Sequence, residues 1–336
     1  MVCQSYGRRS HASHPAAEPR TRQPLVSREA SAHGLVKYIN AVSRSKLELL
    51  TRVAGSLPQG WLTTVARLQF RFPALKRPVG WLANRFRNRN GKISKGVGRG
   101  LKFNPGSANA GYRLGTSEPG VQAALTQLVQ PRMTVYDIGA NVGFFSVIAA
   151  RLVGPDGQVV AFEPVLKNCD QLTLNAQLNS FTNVTVRCEA LGNENGCATF
   201  FATHEPTLGR LKKFGAPEPG SDEITVAVRQ LDRLIIESGL PQPDLIKMDV
   251  EGAEVDVLLG ASEILATARP LLLIELHGTN DPVAILLEQQ GYALYVLGNR
   301  GSVREALWNA HLIAVPKERA DLANEILALT DPALAE

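Results

Sequence analysis

The stretch from Thr134 to Glu163, TVYDIGANVGFFSVIAARLVGPDGQVVAFE, restricts this 336-residue chain to a narrow set of folds. A short apolar run reaches Asp137, and the small-residue loop Gly139-Ala140-Asn141-Val142-Gly143 follows. An apolar helical stretch then stops at Gly154-Pro155, and a second apolar run ends on Glu163. This pattern is one strand-helix-strand unit with an acid at the carboxyl end of each strand. In an open parallel sheet, ligands bind beyond those ends, where strand order reverses. Asp137 and Glu163 are therefore expected to face a ligand.

The two acids restrict what that ligand can be. Gly139 and Gly143 lack a Cβ and let backbone approach closely. A dinucleotide would use that room for its pyrophosphate at the helix N-terminus. Here the G-x-G-x-x-G spacing is broken, because Asn141 stands at the second glycine and Phe144-Phe145 follow Gly143. A carboxylate at Asp137 repels phosphate and suits an ammonium or sulfonium. Glu163 is placed to take two ribose hydroxyls as a bidentate acceptor. A nucleoside with a cationic amino-acid arm, S-adenosylmethionine, meets both demands.

Charge divides the chain in two. Residues 1–100 carry nineteen Lys and Arg against Glu18, Glu29 and Glu48, while residues 101–336 carry seventeen bases and 28 acids. The α/β region is thus acidic, the reverse of what a polyanion-binding core needs. Residues 1–30, rich in Ser, His, Pro and Arg, read as a disordered basic tail. Arg8-Arg9 is followed by no apolar stretch of the kind a secretory signal carries, and the composition also suits a transit peptide. Residues 31–100 read as a basic helical extension with a Gly-rich linker at Gly91–Gly100. Over residues 35–95, Arg67, Arg71, Lys76, Arg77 and Arg85 interleave with Trp61, Phe70, Phe72, Trp81 and Phe86. Such a stretch suits peripheral contact with an anionic membrane, or a helical cap with its charged side in water. No apolar run reaches the ~18–20 residues of a membrane span. Cys3, Cys169, Cys188 and Cys197 form no C-x-x-C pair, so reduced thiols and a cytoplasmic location are the default reading.

Residues 101–320 read as the α/β domain and residues 321–336 as a C-terminal helix and tail. A helix is expected over Val121–Val129, strand one over Thr134–Ile138, strand two over Gln158–Glu163 and strand three over Asn183–Ala190. Cys197–Thr203 and Glu223–Gln230 are further strands, separated by the loop His204–Asp222, whose length and bases suit closure over a substrate. Strand four covers Asp244–Asp249, with one helix over Ala253–Ala268. Strand five covers Leu271–Leu276, and Ala293–Leu297 and His311–Val315 complete the sheet.

Strand four ends in Lys247-Met248-Asp249-Val250-Glu251-Gly252-Ala253-Glu254, and strand five in Glu275-Leu276-His277. Asp249, beside Asp137 in a doubly wound sheet, faces the same crevice. Asp249, Glu251 and Glu254 offer a ligand set for a hard divalent cation. Alternatively, Asp249 meets the cofactor and the two glutamates offset a helix dipole, a reading without metal. Asp249 and His277 are the candidate bases for a substrate proton.

The segments Asp137–Ser146, Ala161–Pro164 and Ile246–Glu254, with Arg269-Pro270 leading to Glu275 and His277, resemble the FkbM-type S-adenosylmethionine-dependent methyltransferases. The resemblance runs over about residues 112–315, departing slightly at Pro131-Arg132-Met133, where the family often has Pro-Gly. It implies a class I methyltransferase fold, a doubly wound seven-stranded sheet of order 3-2-1-4-5-7-6 with the last strand antiparallel. It also implies O-methylation of a hydroxyl on a small molecule or glycan: a sugar, polysaccharide or secondary metabolite. By the same resemblance Asp137, Gly139, Asn141 and Gly143 hold the methionine arm and Glu163 the ribose. Glu189 and Ala190 flank the adenine, and Asp249 lies near the reacting methyl. Two other readings remain. One is a nucleic-acid or protein methyltransferase recruited by the basic N-terminal region. Against nucleic acid, strand four is followed by carboxylates rather than an N-P-P-Y-like aromatic. The other is a non-catalytic scaffold on the cofactor fold, which has no physical need for these acids and glycines.

Overall fold

The computed structural model describes residues 87–331, apart from residues 110, 203–209, 212 and 214–220. The expected basic tail, the helical stretch to residue 86, most of the membrane-contact region 35–95 and most of the loop from His204 lie outside the described residues.

The chain enters the described region through β1 (Gly91–Lys92) and β2 (Lys102–Phe103), an antiparallel pair. Gly91–Gly100 is therefore not the linker expected from its composition. Ile93 is buried beside Phe103, Val121 and Ile148 in the main core, and Lys95 N–H bonds to Leu114 O at 3.1 Å. The glycines and bases there mark tight turns with solvated side chains, and composition cannot tell those from a linker.

The seven-stranded sheet contains β3 (Thr134–Ile138), β4 (Gln158–Phe162), β5 (Val184–Arg187), β10 (Leu245–Met248), β11 (Leu271–Glu275), β12 (Tyr292–Val296) and β13 (His311–Pro316). Their order is β12-β13-β11-β10-β3-β4-β5. All neighbours are parallel except β13, which runs antiparallel to both β11 and β12. This is the expected doubly wound class I order, with the switch point between β3 and β10.

Alternation along β3 builds the two faces. Val135 packs with Phe144, Val147 and Ile148 of the helix Phe144–Val153 on one side. Tyr136 and Ile138 pack with Leu231, Leu234 and Val257 on the other. Every residue of β3 is buried, and full burial of each large apolar side chain contributes roughly 1.5–3 kcal/mol. With both faces covered, the strand ends are left as the place where polar groups can gather.

Two elements differ from the sequence reading. Strand three stops at Arg187, and the chain crosses to a second sheet, where β6 (Ala190–Leu191) pairs parallel with β9 (Asp222–Arg229). That four-stranded sheet, order β6-β9-β7-β8, also holds β7 (Gly196–Ala202) and β8 (Arg210–Leu211). The helix expected over Ala253–Ala268 is two, Glu254–Leu259 and Ser262–Thr267. A Cβ at Gly260 would sit 2.0 Å from Gly192 O, and Asp232 accepts from the N–H groups of Glu263 and Ile264 at 2.8 and 3.0 Å. A carboxylate from another helix thus starts the second helix, which no local pattern announces.

Among the described residues no helix is long and apolar enough to cross a membrane. Among the described residues Cys169 and Cys188 are free.

Candidate active site

A cavity of about 410 Å³ opens at the carboxyl ends of β3, β4, β10 and β11. Ala140, Asn141 and Glu163 line it on one side, and Lys247, Asp249, Glu251, Glu275 and His277 on the other. The second sheet contributes Ala190, Leu191, Phe200 and Leu211, so the insertion after β5 forms a wall.

The loop after β3 is shaped by close packing against protein. Gly139 has φ +77°, and a Cβ there would lie 1.8 Å from Asp249 O. The glycine therefore allows the loop to touch the end of β10, a reason the sequence reading assigned to a ligand. Asn141 adopts φ 50° and its buried Oδ1 has no hydrogen-bond partner. Its N–H donates to Glu163 Oε2 at 2.9 Å.

Glu163 is 5% exposed. Its Oε1 accepts from Val165 N–H at 3.0 Å and from Asn168 Nδ2 at 3.1 Å. Oε1 takes two donors and Oε2 one, so most of the remaining acceptor capacity is on Oε2. Burial pushes this carboxyl up to about 7, with the three donors opposing. Glu189 also lines the cavity and pairs with Arg187 through both oxygens at 3.1 Å.

Asp137 is 2% exposed and lies behind the cavity wall. Its Oδ2 accepts from Ser146 Oγ at 2.6 Å, and its Oδ1 lies 3.6 Å from Lys247 Nζ. The same ammonium lies 3.6 Å from Asp249 Oδ2 and 5.1 Å above the Phe145 ring. Burial works against the Lys247 charge, but the Asp249 and Asp137 carboxylates outweigh it and raise its pKa. Lys247 is the cavity-lining charge that sequence reasoning missed. The signal was present: a lysine inside the apolar run Leu245-Ile246-Lys247-Met248 is almost never buried unless paired.

His277 closes the opposite wall. Its Nδ1 lies 2.8 Å from Glu254 Oε1, while Nε2 points towards Glu251 at 3.6 Å and towards Asp249 and Glu275 at 3.9 Å. Burial disfavours its charge, but the Glu254 hydrogen bond and the Asp249 and Glu251 charges override this and raise it to about 9. With Glu254 on Nδ1 and Glu251, Asp249 and Glu275 around Nε2, the surroundings favour the protonated ring.

Glu254 is fully buried and accepts from Gly252 N–H and Thr279 Oγ1, both at 3.0 Å. It stands behind His277 and not in the cavity, which corrects the trio Asp249, Glu251 and Glu254 as a cation set. Among the described residues, the donor atoms that gather within 4.8 Å are those of Asp249, Glu251 and His277, and of a neighbouring group, Glu118, Glu275 and His311. Glu275 links the two groups. Burial and then the Asp249 charge push it up to about 7, opposed by His311.

Residues 137–294 match the methyltransferase FkbM domain family. The chain is 29% identical over 211 residues to the AMB antimetabolite synthetase AmbE of Pseudomonas aeruginosa, a match taking in 50% of this chain and 10% of that one. It is 28% identical over 148 residues to the hexuronic acid methyltransferase AglP of Haloferax volcanii, covering 44% of this chain and 57% of AglP. It is also 28% identical over 197 residues to the 31-O-demethyl-FK506 methyltransferase FkbM of Streptomyces tacrolimicus, covering 49% and 75% respectively. The chain spans a tenth of AmbE and just over half of AglP. The matched segment, residues 137–294, holds the strand-end motifs that resemble this family.

Proposed function

We propose that this chain is an S-adenosylmethionine-dependent O-methyltransferase acting on a hydroxyl of a sugar, polysaccharide or secondary metabolite. The observation that carries the reading is the division of one cavity into two chemistries. Glu163 Oε2 and the orphaned Asn141 Oδ1 lie on one side, and the Asp249–Glu251–His277–Glu275 cluster on the other.

The residues fit the cofactor. Its methionyl end is zwitterionic, and the switch point holds both signs of charge: the Lys247 ammonium between the Asp137 and Asp249 carboxylates. Gly139, Asn141 and Gly143 shape the loop beside it, and Asp137 acts by fixing Lys247 and Ser146. Glu163 takes a ribose hydroxyl on Oε2, and Glu189 and Ala190 border the adenine. S-adenosylmethionine supplies an electrophilic methyl on a sulfonium, a transfer in which positioning provides much of the rate.

Asp249 takes the acceptor proton. Its side chain is 27% exposed and reaches the cavity, so it meets the hydroxyl and returns the proton to water. His277, held by Glu254 and charged, positions Asp249 and Glu251 and offsets their repulsion. The acidic wall repels phosphates and argues against nucleic acid as acceptor.

Two measurements test this. Calorimetry should show S-adenosylmethionine and S-adenosylhomocysteine binding in the absence of comparable NAD binding. Labelled methyl should pass from the cofactor to a hydroxyl acceptor. Equal affinity for NAD, or no binding of either adenosyl compound, sinks the assignment.

A further inference from the structure

Two neighbouring large apolar side chains stand uncovered, and the second, Trp308, is at the cavity. Leu307 is 76% exposed and Trp308 is 65% exposed, and Trp308 and Asn309 line the cavity beside His277. Single exposed hydrophobics are ordinary, but the backbone that presents this pair is tightly held. Trp308 O accepts from Gly278 N–H at 2.8 Å, and Ala310 O accepts from Leu276 N–H at 2.9 Å. Asn280 Nδ2 donates to Val303 O at 3.0 Å and to Ala306 O at 3.1 Å. The loop is thus tied on both sides to the segment that carries His277. The indole lies 6.2 Å from the imidazole, centroid to centroid, at an interplanar angle of 60°. The fold holds an aromatic face in water beside the groups that take the acceptor proton.

Resting on the methyltransferase reading above, we propose that Trp308 is the stacking platform for the methyl acceptor, and that the acceptor is a neutral pyranoside. Such a ring has an apolar C–H face that matches an indole and an edge of hydroxyls that donate to Asp249 and Glu251. The charge of the cavity sets the word neutral. Glu118, Glu163, Asp249, Glu251 and Glu275 line it against Lys247 and His277, with Glu189 paired to Arg187, so a uronate or sugar phosphate meets net repulsion. The rigid loop means that the platform costs little ordering when the sugar arrives.

The test uses the full chain saturated with S-adenosylhomocysteine, whose calorimetric binding is measured on the same samples. Methyl glucoside, methyl galactoside and methyl rhamnoside are titrated in parallel with glucuronate, and indole emission is followed. At least one neutral glycoside should shift the emission. Trp308→Ala should abolish the shift although Trp61 and Trp81 remain, and glucuronate should give none. With a glycoside that is methylated, Trp308→Ala should raise KM about tenfold with kcat changed much less, and Trp308→Phe should restore most of the affinity. The platform is overturned if S-adenosylhomocysteine binds yet no neutral glycoside perturbs Trp308. It is also overturned if glucuronate binds equally well, or if Trp308→Ala leaves KM unchanged. Absent S-adenosylhomocysteine binding overturns the methyltransferase reading, and the platform with it.

Discussion

Glu254, with no exposure to solvent, holds Nδ1 of His277 at 2.8 Å. The acid belongs to the helix that follows β10 and the imidazole to the end of β11, so one contact ties together the ends of two strands that both feed the cavity. It also decides what His277 can do. A ring gripped by a buried carboxylate on one nitrogen and facing Asp249 and Glu251 on the other keeps its second proton.

The first prediction concerns that proton. A folded pKa of about 9 lies above the ordinary value of 6.5. The protonated form is therefore favoured in the folded state, and the stability it adds is complete below about pH 6.5 and lost as pH rises through about 9. The increment is about 3–4 kcal/mol at most. Glu254→Gln removes the charge but keeps the shape, so urea denaturation across this window should show a smaller loss of stability with pH. Imidazole NMR should place His277 nearer its ordinary value. An unchanged His277 titration would mean that Asp249 and Glu251 suffice alone.

Lys247→Met tests the buried charge trio. Removing the ammonium leaves Asp137 uncompensated at 2% exposure, and breaking a buried pair costs about 3–5 kcal/mol. Asp137→Asn in the same background should recover part of this loss, because the lone carboxylate is then gone. If the two changes add independently in urea denaturation, Lys247 and Asp137 are not coupled.

Glu163→Ala should weaken S-adenosylmethionine binding by about 1.5–3 kcal/mol, the range for hydrogen bonds to a charged group. Because burial holds Glu163 at about 7, cofactor affinity should also rise as pH increases through that value and the carboxylate forms. Calorimetry between acid and mildly alkaline pH reads both effects. Unaltered affinity in the variant removes Glu163 from the ribose.

Asp249→Asn should lower single-turnover methyl transfer by about 10²–10⁴-fold, as expected for loss of a general base. Treatment with a chelator should leave transfer unchanged, since His277 already balances Asp249 and Glu251 as a cation. Activity that vanishes on chelation and returns with Mg²⁺ would instead seat a divalent ion among these three side chains.

The boundary of the domain can be tested by truncation. Asn88 N–H bonds to Gly106 O at 2.9 Å, and Asn90 Oδ1 accepts from Asn104 Nδ2 at 2.8 Å. A chain beginning at Arg87 should therefore keep its fold and its cofactor affinity. One beginning at Leu101 should lose β1 and the buried Ile93, at a cost of roughly 2–5 kcal/mol. Equal melting of the two would show that the hairpin contributes nothing.

The strand-helix-strand unit at 134–163 was legible because its pattern is local: apolar runs of strand length, a loop of small residues and a helix with a glycine stop. The positions of Asp137, Glu163, Asp249 and His277 at strand ends followed from that periodicity and from the rule that parallel strands share a ligand-bearing edge. Their partners were another matter. That Asp137 is turned to Lys247, that Glu254 lies behind His277, and that Glu163 keeps most of its spare acceptor capacity on Oε2 are all relations between elements 20 to over 100 residues apart. So is the break at Gly260, caused by Gly192 and capped by Asp232. By itself the sequence brought Glu163, Asp249 and His277 to the strand ends that line the crevice, since strand period and chain order carry that information, but it did not show that Asp137 is turned behind the wall. Only the tertiary structure decided which of them are charged, paired or open, because burial and through-space neighbours set protonation and hydrogen bonding, and neither is written in the order of residues along the chain.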